Sequence, residues 1–367
     1  MEIGIVTFYY AHNYGAVLQA YALKTYLEQQ GHDVSMYPHI NDNVALMYPK
    51  VLKPIIPKRF FINPQKWKYI FNELKKVSYS KSEWQDRYLR FKNFIDKYLL
   101  NDSSDEMLQK DYFDLLVFGS DQVWEKNIIG NDLTYVGKIE TSAEKVSYAA
   151  SCFSSNSTFT DEMICELKKF SKLSARENDI AIRLGKLTNK EVVTVCDPVF
   201  LLDADHYKNI MSNELKENKY TLFYFVAEDE ELTKLCSYYR NVEKKRVIEI
   251  HYSKFRKESV DYKIDYGPEE FLYLLANADE VYTNSFHGTA FSIIFHKQCY
   301  VKSKNLRLMN ILHILEIENR VIDSCEEFIN LKGRQENIID YDHVDLLKKK
   351  YIFTSKNYID DILKRME

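Results

Sequence analysis

A short segment near residue 285 places a histidine beside a glycine where a strand pattern gives way to a helix pattern. It reads Ser285-Phe286-His287-Gly288 and follows an apolar run at 280–283 that is typical of a buried strand. A histidine can give or take a proton near neutral pH, and a glycine lets a ligand approach the backbone closely. The segment therefore predicts general acid–base chemistry by His287. The alternative is that this histidine only caps the helix or packs in the core.

Three other polar segments follow short apolar runs in the same way. They are Asn13-Tyr14-Gly15, Gly119-Ser120-Asp121 and Ser174-Ala175-Arg176-Glu177. Open parallel sheets bind ligands beyond the carboxyl ends of their strands, and backbone N–H groups at a helix start attract anions. We therefore expect the four segments to face one binding site. The alternatives stay open, since Arg176 can pair with Glu177 and Asp121 can cap a turn.

The elements that must position these segments alternate between strand and helix patterns in two successive halves of the chain. Strands are predicted at 3–8, 33–37, 114–118, 145–150, 173–176, 192–195, 220–226, 246–251, 280–283 and 299–301, and helices at 16–30, 161–170, 268–277, 289–295, 306–315 and from about 355 onward. This alternation predicts an α/β fold with parallel sheets.

Two domains of similar size follow from the same alternation. Polar and charged residues accumulate near 200–218, so we expect a first domain over 1–205 and a second over 206–352. A C-terminal helix over 353–367 could pack back on the first domain. Because ligands often bind between domains, the cleft between the two is the expected site.

Residues 50–100 differ in character from the rest of the chain. They hold thirteen lysines or arginines against four acids, with aromatic residues between them and three prolines in the first part, just after Pro49. The prolines predict irregular chain, and the part from about 80 to 100 can be helical. The segment can be a solvated face, a nucleic-acid surface for which no motif is present, or a contact with an anionic membrane.

The composition limits the classes of binding partner and the cellular compartment that we expect. The chain carries a formal net charge of −4 at pH 7, which does not favour nucleic acid as a partner. Its six cysteines form no C-x-x-C pair and no zinc-ligand spacing, so we expect free thiols in a reducing compartment and no metal site. No apolar run reaches the roughly 18 residues of a membrane helix, and no signal peptide is recognisable. We expect a cytoplasmic protein, with the inner face of the membrane as an option.

Six segments together resemble the polysaccharide pyruvyl transferase family. They are residues 13–23, 119–124, 147–151, 174–177, 197–199 and 285–290. The clearest is Ser285-Phe286-His287-Gly288-Thr289-Ala290. The matches follow the order of the family and cover about residues 1–323, whereas 50–100 carries no recognised motif.

This resemblance implies a fold of two Rossmann-like domains facing a cleft, as in GT-B glycosyltransferases. It implies that phosphoenolpyruvate is the co-substrate, with no cofactor, and that a ketal pyruvate forms on a sugar or lipid-linked oligosaccharide during bacterial polysaccharide synthesis. Arg176, His287 and, by spacing alone, Arg307 would bind the donor, with Ser285 and Gly288 beside them.

The remaining predicted site residues divide into a catalytic acid and a cleft group. His287 would protonate the enol carbon, and Asp121 would accept a proton from a sugar hydroxyl or hold the acceptor. Asn13, Tyr14, Gly15, Ser120 and Ser151 would line the cleft or bind the acceptor.

Two other functions fit the same architecture. The first is a GT-B glycosyltransferase that uses a nucleotide sugar, and the second is a non-catalytic protein that binds a sugar or an anion. Fold alone does not separate the three. The presence of Arg176, His287 and Arg307 favours the transferase over the non-catalytic protein.

Overall fold

Two parallel β-sheets organise the protein. The computed structural model describes residues 1–51, 67–100, 105–152, 158–251, 265–302, 305–331 and 338–366. The first sheet contains β1 (Glu2–Val6), β2 (Asp33–Met36), β3 (Leu115–Phe118) and β4 (Glu144–Ser147), in the order β2-β1-β3-β4. Isolated bridges, Val146 to Lys172 and Ala150 to Ala175, attach the parallel pair β5 (Leu173–Ala175) and β6 (Val192–Thr194) beside β4.

The second sheet lies in the C-terminal half of the chain. It contains β7 (Thr221–Phe225), β8 (Val247–His251), β9 (Glu280–Thr283) and β10 (Gln298–Val301), in the order β10-β9-β7-β8. All pairs are parallel, and the central strand β7 is buried along its whole length. Sheets covered on both faces require such near-continuous apolar strands, so the predicted α/β fold with parallel sheets is confirmed.

Thirteen α-helices are present in the described residues. They are α1 (Tyr14–Gln29), α2 (Asp42–Met47), α3 (Trp67–Tyr98), α4 (Lys126–Ile129), α5 (Asp161–Leu167), α6 (Asn178–Thr188), α7 (Ala204–Ile210), α8 (Glu230–Asn241), α9 (Pro268–Asn277), α10 (Phe286–Ile294), α11 (Leu306–Ile314), α12 (Cys325–Leu331) and α13 (Tyr341–Met366). Within that part of the chain, none has the length and apolar character needed to cross a membrane.

Helices α10 and α13 begin earlier than the sequence predicts. α10 begins at Phe286 and not at Thr289, because the Ser285 side chain caps it by accepting from the Gly288 N–H at 3.2 Å. This cap places His287 and Gly288 in the first turn of the helix. α13 begins at Tyr341, well before the predicted tail helix.

The helical half of the basic segment holds the two sheets together. Residues 52–66 lie outside the described part, but α3 follows them and packs against both halves of the protein. The buried Arg87 donates from Nη1 to the carbonyl oxygen of His251 at 3.2 Å, and Arg90 pairs with Glu270 of α9. This part of the segment is therefore a packed element and not a fully solvated face.

α13 also contacts both sheets. Near its start, Tyr341 donates to the carbonyl oxygen of Lys297, which precedes β10. Toward its end, Tyr358 donates to the carbonyl oxygen of Ser147 in β4 at 2.9 Å, and Ser355 accepts from the backbone N–H of Cys196 at 2.7 Å. The helix therefore bridges the C-terminal and N-terminal sheets.

An aromatic core joins the two sheets behind the carboxyl ends of their strands. Tyr14 is fully buried and stacks on Phe271 of α9, with the ring centroids 4.2 Å apart. Its hydroxyl donates to the carbonyl oxygen of Tyr266 at 2.7 Å. Because one continuous apolar cluster includes residues of both sheets, the strand ends that face each other are held in a defined geometry.

Candidate active site

Three helix starts converge on a cleft of about 440 Å³ between the sheets. The side-chain oxygens of Asn13, Ser285 and Asn305 accept from the backbone N–H groups of Gly15, Gly288 and Arg307 at 2.9, 3.2 and 3.0 Å, respectively. These three caps of α1, α10 and α11 all line the cleft. Since the start of each helix carries partial positive charge, the cleft attracts an anion.

His287 lies where the two sheets meet. Its side chain is 13% exposed, and its Nε2 is buried 3.5 Å from the Oδ2 atom of Asp197. A Cβ atom on Gly15 would lie 2.0 Å from Nδ1, so only glycine leaves room for the ring. His287 lines the cleft, with Nε2 toward Asp197 and the Nδ1 edge of the ring against Gly15.

Arg176 lies behind the cleft between two carboxylates. Its Nε contacts Glu177 Oε1 at 3.0 Å, and its Nη1 contacts Asp197 Oδ2 at 2.5 Å. The Cζ atom stands 5.0 Å from the ring centroid of Phe286, a residue that lines the cleft. The guanidinium is buried and is not part of the lining itself, so its first contacts are with the protein.

The charges of this cluster stabilise one another. Burial alone would raise the pKa of Asp197, but His287 and Arg176 outweigh it and hold that pKa well below its usual range. Burial would lower the pKa of Arg176, but Glu177 and Asp197 raise it instead. The Arg176–Asp197 pair is therefore ionised at neutral pH, with a carboxylate facing the His287 ring.

Arg307 faces the cleft from the first turn of α11. Its Nη2 and Nη1 atoms donate to the side-chain oxygen of Gln122 at 2.7 and 2.9 Å, with the amide oxygen turned toward the guanidinium. Burial lowers the pKa of Arg307, and the positive charge of Arg176 lowers it further. A binding anion would relieve this repulsion between the two arginines.

Five buried polar atoms of this site make no hydrogen bond. They are Ser120 Oγ, Arg176 Nη2, Glu177 Oε2, His287 Nε2 and Arg307 Nε. Buried polar groups in folded proteins are nearly always paired, so a cluster of exceptions calls for an explanation. A bound ligand or ordered water would satisfy them.

Comparison with known proteins identifies the family. The family model described as polysaccharide pyruvyl transferase matches residues 13–303. The chain belongs to this family. The match begins at the cap of α1 and includes the Asp197 and His287 segments, whereas Arg307 lies beyond it. No curated protein sequence matches the chain.

Solved structures of low sequence identity share the fold of this family member. The complex of S. aureus MnaA with UDP is 11% identical and has a TM-score of 0.51, with 98% of this chain and 95% of that chain covered. A putative UDP-N-acetylglucosamine 2-epimerase from Listeria monocytogenes is 10% identical with a TM-score of 0.51, at 100% and 96% coverage. The Neisseria meningitidis UDP-GlcNAc 2-epimerase bound to UDP-GlcNAc is 10% identical with a TM-score of 0.50, at 99% and 100% coverage. The predicted GT-B-like fold is confirmed.

The structure brings five of the predicted site residues to the cleft surface. Asn13, Asp121, Ser285, His287 and Arg307 line it. Two glycines among the predicted site residues leave room for neighbouring side chains of the site. Gly15 makes room for His287, and a Cβ atom on Gly288 would lie 2.6 Å from the hydroxyl oxygen of Thr283.

The structure places Tyr14, Ser120, Ser151 and Arg176 behind the lining of the cleft. Tyr14 belongs to the aromatic core, and the backbone N–H of Ser120 donates to the side chain of Gln19 at 3.3 Å. The Ser151 hydroxyl donates to Glu177 Oε1 at 3.0 Å. These side chains hold the elements that carry the lining residues.

Three residues that the sequence analysis did not assign to the site belong to this cluster. Asp197 contacts both Arg176 and His287, Glu177 contacts Arg176, and Gln122 contacts Arg307. All three lie in segments that carry the family resemblance, and Asp197 follows β6 at its carboxyl end. That position could have indicated Asp197. Among the described residues, no group of three or more histidine, cysteine or acidic side chains is placed to hold a metal ion.

Proposed function

We propose that this family member transfers the pyruvyl group of phosphoenolpyruvate to two hydroxyls of a sugar, forming a ketal in the assembly of a bacterial polysaccharide. The observation that carries the proposal is the group of unpartnered buried polar atoms around His287 and Arg307, where three helix starts meet. Phosphoenolpyruvate bears a phosphate and a carboxylate, and these would supply acceptors for the unpartnered N–H groups of Arg307 and Arg176.

The donor would be held by charge and by backbone N–H groups. Arg307 reaches the cleft with its Nε unused, and the starts of α10 and α11 favour an anionic group beside it. Arg176 retains an unpaired nitrogen, Nη2, whose N–H groups can serve the donor without breaking either of its ion pairs. Binding of the donor would balance the positive charge of both arginines.

His287 is the proposed general acid. Protonated at Nδ1, it would give this proton to the methylene carbon of the enol, which makes the neighbouring carbon electrophilic. The Asp197 carboxylate beside Nε2 would stabilise the protonated ring before transfer. Because Nε2 lies on the side of Asp197, we assign the transferred proton to Nδ1, the other ring nitrogen.

Two sugar hydroxyls would then attack the electrophilic carbon in turn. The first forms a C–O bond and gives its proton to Asp121, which lines the cleft. Phosphate leaves with the electron pair of its C–O bond and takes up the proton held by Asp121. The second hydroxyl closes the ketal ring and returns its proton to His287, so the protein ends in its starting state.

Gly15→Ala tests the placement of His287. The new methyl group would lie 2.0 Å from Nδ1 and would displace the ring, so we expect kcat to fall about 100-fold. Alanine favours a helix over glycine by about 1 kcal/mol, so α1 should remain folded. Phosphate release and the thermal midpoint measure the two effects. Gly185→Ala in α6 is the matched control, and equal loss of activity in both variants would contradict the placement.

A ligand screen tests the proposed function as a whole. We expect phosphoenolpyruvate to raise the thermal midpoint, and UDP-sugars to leave it unchanged. We also expect phosphate release when phosphoenolpyruvate is incubated with galactose-, glucose- or mannose-type acceptors. Stabilisation by a UDP-sugar without any effect of phosphoenolpyruvate would overturn the proposal in favour of a nucleotide-sugar enzyme.

Cytoplasmic location, lipid-linked acceptors and contact of residues 50–100 with an anionic membrane stay predictions. The first part of that segment, 52–66, is outside the described residues. The second part, α3, has a packing role between the sheets, which does not prevent its exposed lysines from meeting a membrane surface.

A further inference from the structure

The cleft has a second half that is apolar. Phe8, Ala11, Val44, Met47, Tyr48 and Ile128 line it. All six come from the N-terminal half of the chain, whereas His287 and Arg307 come from the C-terminal half. The N-terminal half of the chain therefore contributes an apolar wall beside polar lining residues, and the C-terminal half contributes both basic side chains together with further apolar residues. The polar lining residues of the first half are Asn13, Asp121 and Gln122, and the further apolar residues of the second are Tyr224, Val226, Phe286 and Leu308.

Hydrogen bonds within the protein hold the apolar wall in place. Val44 and Met47 lie on α2, whose cap Asn41 accepts from the Val44 N–H at 3.2 Å. The same asparagine donates to the carbonyl oxygen of Ile129 at 3.0 Å and to Asp132 at 2.9 Å. These bonds fix α2 against α4, so the apolar wall keeps its place opposite the charged side.

Charge in the lining limits what the apolar side can bind. In the described part of the cleft, the only cationic or titratable basic side chains are His287 and Arg307, both on the donor side. The one acidic residue in the described lining is Asp121, which comes from the same half of the chain as the apolar wall. A second phosphate, as in a sugar diphosphate, would meet no cationic side chain among the described residues of this wall and would be repelled by Asp121.

The size of the cleft leaves room beyond the donor. Its volume of about 440 Å³ falls in the range of roughly 300–1,000 Å³ that suits a drug-sized ligand, and phosphoenolpyruvate is much smaller. The remaining space is bounded by Met47 and Tyr48, which can pack on a flat apolar group.

We propose that this apolar wall binds a hydrophobic group attached to an uncharged acceptor sugar, an inference that rests on the proposed pyruvyl transfer. The sugar lies between Asp121 and His287, where its hydroxyls meet the donor. The attached group extends over Met47 and Tyr48. Substrate preference then follows from contact with α2 and not from charge.

Paired glycosides test this inference. Phosphate release from phosphoenolpyruvate is measured with methyl and phenyl glycosides of galactose, glucose and mannose. We expect the phenyl compound of the accepted sugar to have a KM about tenfold lower, with little change in kcat. Met47→Ser should reduce this advantage about threefold, while Leu46→Ser should retain it, because Leu46 is 77% exposed and does not line the cleft.

The outcomes separate this inference from the proposed function. Equal KM values for methyl and phenyl glycosides, or an advantage that Met47→Ser leaves unchanged, would overturn the apolar subsite while pyruvyl transfer stands. If none of the glycosides supported phosphate release, that result would count against the proposed transfer to simple sugars. In that case, calorimetric titration of the same pairs still decides the subsite, since equal affinities would overturn it without any turnover.

Discussion

His287→Ala should lower kcat for phosphate release by about 10²–10⁴-fold, the usual contribution of a general acid. The folded structure should persist, because the side chain makes no hydrogen bond and Asp197 keeps its ion pair with Arg176. Steady-state kinetics with saturating phosphoenolpyruvate measure the loss, and circular dichroism with thermal unfolding checks the fold.

A surface histidine provides the control for this variant. His313 is 80% exposed and pairs with Glu318, so His313→Ala should leave kcat unchanged. If His287→Ala raised only the KM for phosphoenolpyruvate and left kcat intact, the ring would bind the donor without transferring a proton. That result would assign the general acid to another group.

Strands and buried helices of this protein could be predicted closely from the sequence. The strand Glu280–Thr283 and the helix Pro268–Asn277 have the predicted bounds, because a continuous apolar run and a proline at a helix start are strong local signals. α8 was missed although Leu232, Leu235, Cys236 and Tyr239 are buried at helical spacing. Its many charged residues obscured that pattern.

The site could be predicted only in part, because its contacts join distant parts of the chain. His287 was predicted from the strand-to-helix junction in which it lies. Nothing in the local sequence indicates that Asp197 lies 3.5 Å from it or that Gly15 packs against its ring. Arg176 shows the same limit. Sequence places it at the end of a strand, and only the packing of β5 and β6 shows that it is buried between two carboxylates.

Arg176→Ala should lower the free energy of unfolding by about 3–5 kcal/mol at pH 7, because it leaves Asp197 and Glu177 as buried carboxylates without their partner. Urea unfolding followed by circular dichroism measures this loss. Arg246→Ala is the matched control, since Arg246 is 51% exposed in its pair with Glu217 and should contribute no more than about 1 kcal/mol.

The pH dependence distinguishes this structural role of Arg176 from donor binding alone. In the folded protein the pKa of Asp197 lies below its ordinary value of 3.8, so its ionised form stabilises the fold above that pH. This contribution is lost as the pH falls through the lowered pKa, and the difference between wild type and Arg176→Ala should narrow below about pH 4. A variant as stable as wild type at pH 7, with weaker binding of phosphoenolpyruvate as its only defect, would show that the guanidinium serves the donor and not the buried carboxylates. A large loss of stability would instead show that the guanidinium mainly stabilises the two buried carboxylates, one of which faces His287.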